Sequence, residues 1–81
     1  MRTIRRYTNR KHYDTAQSHY VTLGQIASLI REGHEVRVVD HVNGDDRTAQ
    51  TLAQVIFEEE KRAPRLGVEL LAKIVREGIP A

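Results

Sequence analysis

The chain has 81 residues, no cysteine and no apolar run near the ~20 residues of a membrane helix, so disulfides, thiolate metal sites, a cysteine nucleophile and a membrane span are not expected. At this length it makes one small domain, burying about 60–65% of its unfolded surface in a modest core. Thirteen Lys and Arg against eleven Asp and Glu give +2, but residues 1–20 hold five basic side chains and one acidic, and residues 21–81 eight and ten, which points to an anionic partner for one end.

The basic start, Met1-Arg2-Thr3-Ile4-Arg5-Arg6, has no apolar h-region after it, so no signal peptide is expected and the cytoplasm is the expected location. Thr3–Tyr7 reads as a strand, and a break follows at Thr8-Asn9-Arg10. Lys11–Asp14 and His19–Thr22 are β-prone runs joined by Thr15-Ala16-Gln17-Ser18, a four-residue hairpin loop that lets Tyr13 and Tyr20 pair. Together these make a basic β arm over residues 1–22.

A helix over 23–32 follows. Thr22 and Gln25 have capping-box spacing; Leu23, Ile26, Ala27 and Ile30 make one apolar face; Gly33 suits a left-handed stop. Gly24, early in this helix, costs roughly 1 kcal/mol against alanine, and the sequence gives no reason for it. A second hairpin is expected over 35–49, with a valine-rich strand at 35–40, the turn pair Asn43-Gly44 and a short return strand at 46–49. Two helices, 51–62 and 67–77, close the chain, broken by Pro64 and stopped by Gly78 and Pro80. Their apolar residues Leu52, Val55, Ile56, Leu70, Leu71, Ile74 and Val75 are the candidate oligomerisation surface, because a small domain with such faces completes their burial against a second copy. The order of elements is α+β: strands, helix, hairpin, two helices.

Little here suggests an enzyme. His12 and His19 flank the first hairpin near Asp14, which is either a metal site or two surface histidines; without a tight motif no metal or cofactor is expected. Glu58-Glu59-Glu60 diverge by about 100° per residue on a helix, so they read as a solvated or partner-facing acidic face. The five glycines are isolated, so no phosphate loop is present. The dense segment is Arg5-Arg6-Tyr7-Thr8-Asn9-Arg10-Lys11. It suits duplex DNA, since clustered cations displace counterions and Arg, Asn and Tyr contact bases and phosphates. It equally suits an edge strand whose arginines block edge-to-edge pairing.

The run Arg-Arg-Tyr-Thr-Asn-Arg-Lys-His-Tyr-Asp-Thr at 5–15, then Tyr-Val-Thr-Leu at 20–23, resembles the N-terminal signature of bacterial polyhydroxyalkanoate synthesis repressors, also called regulators of polyhydroxybutyrate accumulation. The resemblance continues through Val38-Val39-Asp40, the Gly44-Asp45 turn, Thr48 and Ile56–Glu60. It implies the DNA-binding domain of a repressor of storage-granule genes, one that leaves double-stranded DNA on binding the polymer; a homo-oligomer, dimer or tetramer, is expected because it doubles the basic segment and matches a two-fold operator. Arg5, Arg6, Arg10 and Lys11 are then the expected phosphate contacts, with Tyr7 beside them and Asn9 or Arg10 at a base edge; Tyr13 and Asp14 are expected to be structural. His12 departs from the pattern, which has an apolar residue, commonly leucine, there. Family members continue into a granule- and polymer-binding region, whereas this chain ends at Ala81. The alternative is a protein- or granule-surface interaction module acting through its apolar helix faces.

Overall fold

The computed structural model describes residues 1–78. In chain order its elements are β1 (Arg2–Arg6), β2 (His12–Asp14), β3 (His19–Val21), α1 (Leu23–Arg31), β4 (Val36–Asp40), α2 (Thr48–Arg62) and α3 (Val68–Glu77). The strands form one mixed sheet in the order β3-β2-β1-β4, so the domain is α+β as expected. Pro80, the expected stop for the last helix, lies outside the described residues; Gly78, with φ +80°, caps α3. Among the described residues no helix is long and apolar enough to cross a membrane.

Register fixes the two faces of the sheet. β1 pairs antiparallel with β2 (Ile4–Asp14, Arg5–Tyr13, Arg6–His12) and parallel with β4 (Ile4–Val38, Arg5–Val39, Arg6–Asp40). β2 pairs with β3 through His12–Val21, Tyr13–Tyr20 and Asp14–His19. Side chains alternate along a strand, so Ile4, His12, Asp14, Val21 and Val38 share one face. Ile4, Val21, Ile26 and Val38 are its buried cluster, with Leu23 and Val36 packed against it. Burying each contributes about 1.5–3 kcal/mol, and α1 and α2 cover this face.

The capping box forms as the spacing predicts: Thr22 Oγ1 accepts from the Gln25 N–H (3.1 Å) and Gln25 Oε1 from the Thr22 N–H (2.8 Å). Gly33 is left-handed, φ +97°. Nothing in the packing requires Gly24.

Three expectations are corrected. The basic segment is neither an arm nor an edge strand, because β1 is paired on both sides. The second hairpin shrinks to one antiparallel bridge, Val39–Asp46. The chain does reverse at Asn43-Gly44, where Gly44 has φ +74°, but the return segment is held along β4 by Arg47 N–H to Val38 O (2.7 Å) and Asp40 N–H to Asp45 O (2.8 Å). Thr48 Oγ1 then accepts from the Val38 N–H (2.9 Å) and so replaces the next backbone partner. This frees the chain to start α2 at Thr48, a turn before the expected 51, with Asp46 Oδ1 accepting from the Thr48 N–H (2.9 Å).

The triple glutamate diverges as helix geometry requires. Glu59 grips Arg31 with both oxygens at 2.6 Å. Glu60 Oε1 accepts from the backbone N–H of Arg65 (2.6 Å) and Leu66 (2.9 Å), shaping the turn into α3.

Candidate nucleic-acid interface

The loop between β1 and β2 closes with two backbone bonds, Tyr7 N–H to Lys11 O (2.9 Å) and Arg10 N–H to Tyr7 O (3.0 Å). Asn9 Oδ1 accepts from the Lys11 N–H (3.1 Å), an Asx turn. This geometry forces Arg10 into the left-handed region, φ +66°. A non-glycine residue there costs about 1–2 kcal/mol, and such strain concentrates at functional positions. Beyond the last pair, Arg6 and His12, no strand pairing continues, and Tyr7–Lys11 form a tight turn whose Thr8, Asn9 and Arg10 make an exposed tip.

The expected contact residues divide around this tip. Alternation places Arg5 and Tyr7 on the face away from the helices, with Lys11 Nζ 5.4 Å from the Tyr20 ring centroid. Arg6 lies on the helix side, in a cleft of about 220 Å³ with Arg47, Gln50 and Gln54. The sequence reading missed Arg37 and His41. Arg37 pairs with Thr3 on the helix-free face, and the His41 ring stacks on Tyr7 at 4.0 Å. Arg37 interrupts a valine run at a period-2 position, a readable signal once that run is known to lie beside β1.

Asp14 is structural, as expected, and Tyr13 packs on the sheet beside Tyr20. Tyr13 meets Tyr20 edge-on at 5.3 Å. Asp14 is buried, bonds Arg2 at 2.6 Å and accepts from the N–H groups of Ala16 (2.9 Å) and Gln17 (3.4 Å). Burial pushes its carboxyl up, but the Arg2 bond, the two N–H groups and the Arg2 charge outweigh that and hold it below the ordinary 3.8.

The histidines do not form a pair, because the register sets His12 opposite Val21 and His19 opposite Asp14. Among the described residues no three His, Cys, Asp or Glu side chains are grouped to hold a metal ion. His12 is 5% exposed, and its Nε2 has no hydrogen-bond partner. Burial first, then the Arg6 charge, pulls its pKa below the ordinary 6.5. Folding therefore favours the neutral ring. Full stability is present above about pH 6.5; below it the unfolded chain takes up a proton the folded chain resists, and stability falls until the folded ring also protonates. His12→Leu is expected to add about 1 kcal/mol and to remove this slope. Urea unfolding at about pH 7.5 and about pH 5 checks it; a slope that survives the substitution rejects the assignment.

Of the candidate oligomerisation residues, Val55 is a correction: it is buried within its own chain, and Leu52 is half-buried. Ile56, Leu70, Leu71 and Val75 are exposed and Ile74 half-exposed. Phe57, 63% exposed, joins them. No residue of α3 is buried.

Comparison with known proteins adds an independent line. The sequence model of the family described as PHB/PHA accumulation regulator DNA-binding domain matches residues 3–63. An uncharacterised protein of Allochromatium vinosum is 40% identical over 76 residues, covering 93% of this chain and 50% of its own length. A Thiocystis violacea protein, named as uncharacterised and lying in the phbA 5′ region, is 38% identical over 76 residues, covering 93% and 55%. The chain thus spans about half the length of the curated relatives it matches. No solved structure matches.

Proposed function

This chain belongs to the family of PHB/PHA accumulation regulator DNA-binding domains, a DNA-binding and not an enzyme family, and from that premise we propose that it represses genes of polyester storage granules by placing the Thr8–Arg10 tip in the major groove of duplex DNA. The observation that supports this mode is the strained Arg10 in the exposed turn that ends the β1–β2 hairpin. The major groove, about 12 Å wide, admits a two-stranded ribbon. In that pose Arg10 reads a base edge. Arg6 and Lys11, on opposite faces of the ribbon, reach the two flanking phosphate backbones, and Arg5 and Tyr7 support the Lys11 side. The phbA 5′ position of one relative is in keeping with a storage-gene regulator.

A second copy is part of the proposal. An isolated helix shorter than about 12–15 residues is marginal in water, and α3 has ten with none buried. Leu70, Leu71, Ile74 and Val75, with Ile56 and Phe57, are its surface; Val75→Glu is expected to turn an oligomer into a monomer in light scattering. A wild-type monomer that pellets with polyester particles would favour the interaction-module reading instead.

The test is selection from a pool of host genomic fragments, followed by anisotropy with an enriched duplex and its scrambled counterpart in a salt titration. Enriched fragments upstream of storage-granule genes are expected. With Arg5, Arg6 and Lys11 on phosphates, log K against log salt has a slope of about −2.7. No enrichment, or equal affinity for both duplexes, rejects sequence-specific repression.

A further inference from the structure

The helix-free face of the sheet is larger than the proposed duplex contact needs. All three tyrosines of the chain lie on it. Tyr13 meets Tyr20 at 5.3 Å, Tyr20 meets Tyr7 at 6.3 Å, and Tyr7 stacks on His41 at 4.0 Å. These rings form one continuous aromatic band that runs from β3 and β2 to the residues just past the ends of β1 and β4. Tyr20 is 56% exposed. Around the band stand Arg5, Lys11 and Arg37, all exposed. The strand positions of this face are Thr3, Arg5, Tyr13, Tyr20, Arg37 and Val39, with no carboxylate among them. From outside the strands, Asp46 reaches Arg37 at 3.9 Å in an exposed pair, which screening leaves weak.

An undistorted duplex fits this face poorly, since a whole sheet is accommodated only by bending the duplex and opening its minor groove. Four strands span about 15 Å between outer strand axes, and side chains widen that beyond a groove of about 12 Å. An unpaired strand fits, because its bases are free to lie flat on aromatic rings while cations follow the sugar-phosphate chain. We propose that the helix-free face binds single-stranded DNA by stacking bases on Tyr20, Tyr13 and Tyr7, with Arg5, Lys11 and Arg37 on the phosphates. Lys11, now over the Tyr20 ring, swings off it to a phosphate as a base takes its place. The choice of DNA over RNA rests on the DNA-binding reading of the domain.

The experiment titrates the whole chain with an oligothymidylate of about ten nucleotides, an abasic strand of equal length, the matching oligouridylate, and the enriched duplex in parallel. The chain has no tryptophan, so tyrosine emission is directly readable, and stacking quenches it. Oligothymidylate is expected to quench emission and bind about tenfold tighter than the abasic strand, with a salt slope of about −2 for three cations. Tyr20→Leu is expected to weaken it about tenfold and leave duplex affinity unchanged. Arg37→Ala, at an exposed strand position, lowers the slope by about 0.7. Equal binding of thymidylate and abasic strands, or an unchanged Tyr20→Leu, overturns the inference, as does tighter binding of the uridylate. Self-association that Tyr20→Leu abolishes, with no quenching by oligonucleotide, overturns it in favour of a second copy on this face. Intact duplex binding in any of these cases leaves the repressor reading standing; loss of duplex binding alone rejects only that reading.

Discussion

Arg10→Gly binds the enriched duplex about tenfold or more weakly and loses its preference over the scrambled one, yet unfolds at a higher urea concentration than the natural chain. The two effects have separate causes. A bidentate arginine–guanine contact is worth about 1–3 kcal/mol of discrimination, and glycine removes it. Glycine also relieves the left-handed backbone at φ +66°, a gain of about 0.5–1 kcal/mol after its greater unfolded-state freedom is subtracted. Asn9 is the weaker candidate for base reading, because its Oδ1 is engaged by the Lys11 N–H and a bidentate adenine contact needs that oxygen free. Anisotropy and urea unfolding on one preparation decide the matter. Equal weakening on both duplexes would make Arg10 a phosphate contact, and unchanged affinity would remove the tip from the interface.

Asp14→Ala is expected to cost about 3–5 kcal/mol, which in a domain of this size leaves little or no folded population. The carboxylate is 1% exposed and Arg2 16%, so deleting it strands a desolvated guanidinium. It also releases the N–H groups of Ala16 and Gln17, which shape the β2–β3 loop. Asp14 lies opposite Ile4, at the centre of the core face, so the damage is not confined to the surface. The double variant Arg2→Met, Asp14→Leu is expected to recover most of the loss, because replacing both charges leaves nothing unpaired. In the natural chain the depressed Asp14 pKa adds stability present above the ordinary 3.8 and lost as pH falls through the lower folded value. Circular dichroism through urea titrations measures all three; a single-variant cost below about 1 kcal/mol would show the pair to be solvated.

What could be read beforehand follows the range of the interactions involved. α1 was legible at both ends because Thr22, Gln25 and Gly33 act within a turn or two of themselves. The first hairpin was legible for the same reason, down to the Tyr13–Tyr20 pair. The parallel pairing of β1 with β4 joins residues more than thirty positions apart, and no local pattern announces it. With that pairing hidden, β1 looked like a free basic arm, Arg5 and Arg6 looked like one cluster, and Arg37 and His41 looked unrelated to it. Asn43-Gly44 signalled its turn correctly but could not show that Thr48 would supply a side-chain oxygen where a strand would supply a carbonyl.

That oxygen governs how copies of this domain can meet. The segment 45–48 occupies the outer edge of β4, and at the other end of the sheet β3 is only three residues long, too short to template a neighbour firmly. Neither margin offers a row of backbone groups to a second sheet. The association proposed above then runs through side chains on α2 and α3 and leaves the ladder that holds the Arg10 tip undisturbed.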